Sequence, residues 1–348
     1  MVSCPQETSP LALMLKILYD SQIPYVHDFF ASHFILKAYQ HQGEMLSLIR
    51  DYDILICRST IKITADMLQN TSIQLVASAT SGLDHIDIQG LEKLKIPLFH
   101  AKGSNAHAVC DYITSTLAYL EIYQYTNAQK IMVIGYGSVG KMVTHRLKKL
   151  GFSVFNLDPY VQTPYPCTLD AISEMDVICL HPSYHLTPPF STHHLINDEQ
   201  ISRFKKDVCI INASRGEVVD EAAILHQDFH GIYCTDVYKN EPHINPKIVD
   251  KATLCTPHIA GHSIQSKWRM TSFIAHQIFQ RYGFAEPAIS APLVSQTDAK
   301  EKNWQFQALA QYNPDIETRA LKMCPTSEQF IQLRQQHRFR ADFDFLNF

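Results

Sequence analysis

The chain has 348 residues, 46% of them hydrophobic and 18% charged, enough to bury more than one core. A formal net charge of -4 leaves no basic field to hold a phosphodiester backbone, which argues against nucleic-acid binding. The apolar run over residues 11–15 is stopped by Lys16 and is too short to span a bilayer, so a soluble, cytoplasmic protein with no membrane contact is expected.

Residues 1–13 carry polar and proline punctuation without periodicity and read as a disordered extension. From Leu15 onward, short apolar runs alternate with segments of helical period, the pattern of a parallel sheet covered on both faces. Strands are predicted at 15–18, 54–57, 75–79 and 97–99 and helices at 25–39 and 91–94, forming one small domain over 14–104. A segment over 105–123, with Val109, Ile113, Leu117 and Leu120 at helical spacing, leads into a second domain. There strands recur at 131–134, 154–157, 177–180, 208–211, 232–235 and 254–256, which matches a dinucleotide-binding sheet over 105–270. The helix after Thr271 is expected to complete the first domain over 271–288, and the crossings at Asn105 and near Thr271 to act as hinges. The remaining 289–348 is polar, Gln-rich and too small to fold alone. The expected fold is α/β, with two Rossmann-like doubly wound parallel-sheet domains and a short C-terminal region.

The nine cysteines are scattered, with no CxxC pair, and read as buried thiols of a reducing compartment. The eighteen histidines form no HExxH or comparable ligand spacing. The pair His193 and His194 sits in a polar stretch read as a loop, so no metal is expected.

The strongest local signal is Ile131-Met132-Val133-Ile134-Gly135-Tyr136-Gly137-Ser138-Val139-Gly140, an apolar strand running into GxGxxG and then a helix. Gly135 permits a tight turn, Gly137 lets the backbone approach a pyrophosphate, and Gly140 allows close helix–strand packing. Tyr136, Ser138 and Val139 complete the turn, whose N–H donors face a bound phosphate. Asp158, at the end of the next strand, accepts from ribose hydroxyls and repels a 2′-phosphate, which selects NAD over NADP.

Three further residues follow predicted strands, where open α/β sheets place their sites. Arg215 lies in Asn212-Ala213-Ser214-Arg215-Gly216, Glu241 in Asp236-Val237-Tyr238-Lys239-Asn240-Glu241-Pro242, and His258 in Pro257-His258-Ile259-Ala260-Gly261. Alone, they read as a solvated arginine, a turn carboxylate and a buried histidine. Together they supply a base for a hydroxyl proton, a carboxylate to orient that base and a cation for substrate oxygens, which is what oxidation of a hydroxy acid requires.

In this order and spacing the motifs resemble those of the D-isomer-specific 2-hydroxyacid dehydrogenases, over roughly Leu15 to Tyr282. Within that family the chain is most similar to the erythronate-4-phosphate dehydrogenase branch, through Lys16-Ile17-Leu18, Pro24-Tyr25, Arg58-Ser59-Thr60-Ile61-Lys62, residues 79–87 and Gly103-Ser104-Asn105-Ala106. The tail adds Tyr312-Asn313-Pro314-Asp315 and Phe330-Ile331-Gln332-Leu333-Arg334 with Arg338 and Arg340, which resemble that branch's C-terminal dimerisation region. The resemblance implies NAD-dependent oxidation of 4-phospho-D-erythronate to its 2-oxo acid, a step towards pyridoxal 5′-phosphate, by a homodimer. It assigns Ser59 and Thr80 to the substrate, Arg58 and Lys62 to its phosphate, and the backbone of Thr80, Ser81 and Gly82 to its carboxylate. Asp158, Asp236 and Gly261 match cofactor positions.

The sequence departs from that branch at Pro182, where relatives carry Thr, and at His262, where they carry a substrate-contacting Tyr; it also ends early. His262 retains a donor for a phosphate. Two alternatives stay open: a relative acting on another acid, such as 3-phosphoglycerate or glycerate, and an NAD-sensing co-repressor.

Overall fold

The computed structural model describes residues 14–226, 229–294, 303–337 and 339–343. The extension expected over 1–13, and Arg338 of the tail, lie outside the described residues. Contacts divide the chain into two units: one runs to Ser104 and resumes over Lys267–Ala291, the other takes Asn105–Ser266 and Pro292–Phe348.

The first unit is built on β1 (Lys16–Asp20), β2 (Ile35–Tyr39), β3 (Ile54–Cys57), β4 (Leu75–Ser78) and β5 (Leu98–His100). They form one parallel sheet in the order β2-β1-β3-β4-β5. Successive side chains serve opposite faces: Ile54 and Ile56 join one apolar cluster, Leu55 and Cys57 the other. That two-sided burial is why these strands read as unbroken apolar runs.

The helix predicted over 25–39 is corrected. A short helix spans Val26–Phe30, and Ile35–Tyr39 is an edge strand paired with β1. Phe30 and Phe34 are four residues apart, as on a helix, but both pack on Phe279 within one aromatic cluster, Phe30 stacked on its face and Phe34 edge to face. Packing them there ends the helix and frees the next residues for the sheet. A helix at Gln42–Leu48 was not foreseen, and the one predicted over 91–94 spans Ile88–Lys93, where the Asp87 side chain accepts from the Gly90 amide and caps it.

The second unit carries β6 (Lys130–Ile134), β7 (Ser153–Leu157), β8 (Val177–Leu180), β9 (Cys209–Asn212), β10 (Ile232–Thr235) and β11 (Leu254–Cys255). All are parallel, in the order β11-β10-β9-β8-β6-β7. The chain moves from β6 to β7 on one side and returns to β8 on the other, so the order reverses at β6, the place where such sheets bind ligands. Ile131 and Val133 face one core cluster, Met132 and Ile134 the other.

The tail is part of this unit. Ala308, Tyr312 and Phe343 join the cluster that includes Tyr112 and Ile113 of helix Ala106–Ile122, and Leu321 and Phe330 join the cluster on the opposite face. Arg340 is buried, with Nη2 donating to the carbonyls of Ala108 and Ala260, each at 2.7 Å.

Among the described cysteines none is bridged and six are buried, but Cys167 is partly accessible and Cys324 exposed, which corrects the expectation that all are buried. Cys4 lies outside the described residues. No described helix is long and apolar enough to cross a membrane.

Candidate active site

At the carboxyl end of β6 the chain turns through Gly135, whose φ of 90° suits only glycine, into helix Ser138–Lys149. A Cβ on Gly135 would lie 2.6 Å from the backbone of His181 and Pro182 at the end of β8, and one on Gly140 would lie 1.9 Å from the Gly135 carbonyl oxygen. Both glycines are therefore required by the fold. Gly137 differs: a Cβ there would meet no protein atom within 4 Å, so the demand for glycine comes from whatever approaches the turn. A pyrophosphate on the free N–H groups of the helix fits that demand.

Asp158 follows β7 and reaches back to the turn. Its Oδ2 accepts from the Tyr136 amide at 2.7 Å and its Oδ1 from the Tyr160 amide at 2.9 Å. Each oxygen keeps lone-pair capacity for a ribose hydroxyl. His181 stands at the same end of β8, and burial of its ring nitrogens holds the imidazole down at a pKa of about 3, so it is neutral.

The segments after β9, β10 and β11 deliver Arg215, Glu241 and His258 to one end of three neighbouring strands. The Arg215 and Glu241 segments touch: a Cβ on Gly216 would lie 2.0 Å from the backbone of Tyr238. Arg215 Nη1 donates to the Ser214 carbonyl at 2.7 Å. His258 Nδ1 lies 2.6 Å from Glu241 Oε2, and Glu241 Oε1 accepts from the Tyr238 amide at 2.9 Å. With Nδ1 committed to a carboxylate, Nε2 is the nitrogen left for a substrate proton. Burial pushes the Glu241 carboxyl upward, but the His258 imidazole and the hydrogen bonds outweigh it, and the group sits below its usual value.

His258 has φ of 56°, a conformation uncommon for a side chain of this size. Asp236 holds it there. Its buried carboxylate accepts from Thr256 Oγ1 at 2.6 Å and from the amides of Ile259 and Ala260 at 2.7 and 2.8 Å. Burial raises the Asp236 carboxyl, against the pull of His258 and these donors. The residue assigned to the cofactor by resemblance thus also clamps the loop that carries His258. Gly261, next in that loop, packs against Asn105, where a Cβ would lie 2.6 Å from Nδ2.

Sequence reasoning missed the supports of this loop. Tyr238 donates its hydroxyl to the Thr256 carbonyl at 3.1 Å, and Thr256 Oγ1 is 2.9 Å from the Tyr112 hydroxyl. Arg340, read in the sequence only as part of the tail's resemblance to a dimerisation region, binds the Ala260 carbonyl of its own chain, and Asp342, which accepts from Ser263, carries no local motif. His262 meets the rings of His337 and Phe339 at centroid distances of 6.0 and 5.7 Å.

In the first unit, Arg58, Ser59 and Lys62 follow β3, and Thr80, Ser81 and Gly82 follow its neighbour β4. Arg58 Nε pairs with the buried Asp20 at 3.0 Å. Thr80 Oγ1 donates to the Gly82 carbonyl at 2.8 Å and contacts Ser78 Oγ at 2.7 Å, while Ser81 Oγ accepts from the Gly103 amide at 2.8 Å. Ser59 and Lys62 are exposed.

Residues 118–260 match the D-isomer specific 2-hydroxyacid dehydrogenase, NAD binding domain, and residues 13–188 match that family's catalytic domain. The chain belongs to the D-isomer specific 2-hydroxyacid dehydrogenases. As a member it is an NAD-dependent dehydrogenase, and the Gly135 turn and Asp158 both fall within the residues that match the NAD binding domain. A Legionella pneumophila (strain Philadelphia 1) relative named erythronate-4-phosphate dehydrogenase is 40% identical over 334 residues, covering 94% of this chain and 95% of the relative. One of the same name from Coxiella burnetii (strain RSA 331) is 32% identical over 351 residues, covering 95% and 94%. Among solved structures, this dehydrogenase shares its fold with NAD-bound 3-phosphoglycerate dehydrogenase of Entamoeba histolytica (TM-score 0.64, 21% identity, 77% of this chain and 96% of that one). It does so too with the D-lactate dehydrogenase of Aquifex aeolicus (TM-score 0.62, 23% identity, 77% and 96%).

Proposed function

We propose that this chain oxidises 4-phospho-D-erythronate to its 2-oxo acid, (R)-3-hydroxy-2-oxo-4-phosphooxybutanoate, with NAD, as a step towards pyridoxal 5′-phosphate. The observation that carries the reaction is the 2.6 Å contact between His258 and Glu241, beside the segment that presents Arg215. The substrate reading rests on likeness to relatives named for erythronate 4-phosphate across nearly the whole chain, tail included.

NAD, when bound, takes the hydride released from C2. His258 Nε2 accepts the proton of the C2 hydroxyl as the carbonyl forms, and Glu241 steadies the cation produced on the ring. Arg215 donates to the substrate carboxylate and to the developing carbonyl oxygen. Asp236 keeps the imidazole in place during proton transfer. Arg58 and Lys62 supply charge for the phosphate, Ser59 and Thr80 supply hydroxyls, the Ser81 and Gly82 amides serve the carboxylate, and His262 offers a further donor.

The assay compares kcat/KM for 4-phosphoerythronate, 3-phosphoglycerate and glycerate. A preference of at least ~10-fold over 3-phosphoglycerate, and a larger one over unphosphorylated glycerate, is expected. Equal turnover of all three would remove the substrate assignment and leave the reaction class standing.

We also propose that the chain works as a homodimer through its tail, in line with the exposed Ile316 and Met323 on helix Asp315–Met323, 68% and 87% accessible. A monomer by native mass spectrometry at micromolar concentration would overturn this.

A further inference from the structure

Outside the site just described, the described residues hold one cluster with the donor set of a metal centre: His193, His194 and Glu217, whose ligand atoms lie within 4.8 Å of one another. We propose that these three side chains form a binding site for a divalent transition-metal cation of imidazole preference, with Zn2+ the best match.

Two loops of the second unit build the site. The histidines lie in the connection from β8 to β9, and Glu217 in the short 3-10 turn Gly216–Val218 after β9. The backbone ties the loops together before any side chain is considered. The His194 amide donates to the Glu217 carbonyl at 2.8 Å, Ile196 bridges Val219, and the Asp220 amide donates to the Ile196 carbonyl at 2.8 Å. The donors are thus held by hydrogen-bonded backbone, and their approach does not depend on free loops meeting by chance.

Glu217 Oε2 lies 3.9 Å from His193 Nδ1 and 3.7 Å from His194 Nε2. A tetrahedral Zn2+ with bonds of about 2.1 Å sets its donor atoms about 3.4 Å apart. The two glutamate distances are within about 0.5 Å of that spacing, but the imidazoles of His193 and His194 stack at a centroid distance of 3.9 Å with 21° between their planes, so closing the site requires one ring to turn about its side-chain bonds until both lone pairs meet on one ion. His194 Nε2 is buried and has no hydrogen-bond partner, an arrangement that a cation would relieve. On the other side of that ring, Asp220 Oδ2 stands 3.6 Å from Nδ1, where an outer carboxylate orients a ligating imidazole. The Tyr184 hydroxyl, 3.3 Å from His193 Nδ1, would give up that nitrogen to the metal.

Two imidazoles and one carboxylate form a mixed nitrogen and oxygen set. It lacks the thiolates that favour Cu(I) and the all-oxygen shell that Mg2+ and Ca2+ need. Three protein ligands leave a coordination position for water.

The test titrates chelator-stripped full-length protein with Zn2+ by calorimetry and with Co2+ by visible absorption. The variants are H193A and E217Q, both at partly accessible positions away from the core; equal thermal melts confirm that they fold. Saturable binding of one Zn2+ per chain is expected, weakened at least ~10-fold in each variant, the smallest loss seen when even an outer partner of a metal site is removed. The Co2+ spectrum should lack thiolate charge-transfer bands. No saturable binding, undiminished binding in both variants, or thiolate bands placing the ion on cysteines would each overturn the proposal.

Discussion

His258 Nδ1 lies 2.6 Å from Glu241 Oε2, and the other oxygen of that carboxylate is held by the Tyr238 amide. A carboxylate fixed at both oxygens fixes the ring it binds, so Nε2 is aimed and the proton on Nδ1 is assigned. Replacing His258 with alanine should lower kcat by ~10²–10⁴-fold, the usual worth of a general base, with NADH binding intact by fluorescence titration. E241Q keeps the shape and removes the charge; its loss should fall on kcat more than on KM, because in the proposed mechanism the substrate meets His258 and not Glu241. Unchanged kcat in either variant would remove that residue from the mechanism.

The nucleotide turn separates two kinds of glycine. At Gly140 an added Cβ would overlap the Gly135 carbonyl at 1.9 Å, whereas at Gly137 it would meet no protein atom. Gly140→Ala should therefore lower the melting temperature of the cofactor-free protein, through strain of about 1–3 kcal/mol. Gly137→Ala should melt with the parent yet bind NAD at least ~10-fold more weakly, equivalent to about 1.4 kcal/mol. Equal NAD affinity in Gly137→Ala would mean that no ligand comes close to that backbone.

Arg340 links the tail to the catalytic loop. Its guanidinium stacks over Tyr312 at 4.4 Å and donates to Ala108 and Ala260, the latter two residues beyond His258. Arg340→Ala leaves two buried carbonyls without that donor and should cost about 2–4 kcal/mol in urea denaturation. It should also depress kcat more than KM, because the loop that carries His258, the proposed base, loses a tether. A stable variant with full kcat would show the tail to be a passive cover.

Legibility in the sequence tracked the range of the interactions. Buried parallel strands such as Ile54–Cys57 and Val177–Leu180 announce themselves because both faces are apolar. The Gly135 turn is legible because its glycines answer local steric demands. Strand β2 was not: Phe29, Phe30 and Phe34 have helical spacing, and only tertiary packing against Phe279 turns Ile35–Tyr39 into a strand. Glu241 and His258 stand in recognisable segments, but the clamp on their loop comes from Asp236 and from Arg340, and the tail motif that contains Arg340 holds no trace of its bond to Ala260. Glu217 beside the His193 and His194 pair is the same kind of case, a meeting of loops that only the sheet order brings about.

His181 and Asp111 give stability opposing responses to acid. The His181 imidazole is held down from 6.5 to about 3 by burial. Above pH 6.5 the ring is neutral in folded and unfolded chains; below it, the unfolded chain takes up a proton that the folded one refuses, so stability falls by roughly 1.4 kcal/mol per pH unit until about pH 3. Asp111, paired with Arg146 inside the second unit, is pushed by burial from 3.8 up to about 6, only partly offset by that arginine. Its contribution is fully present below pH 3.8 and lost as pH rises through about 6, so on acidification it counters the loss from His181. Urea denaturation of the cofactor-free protein between pH 6.5 and 4.5 should therefore decline less steeply in H181Q than in the parent, and more steeply in D111N. Curves parallel to the parent in both variants would show that neither group carries the pH dependence, whatever its burial.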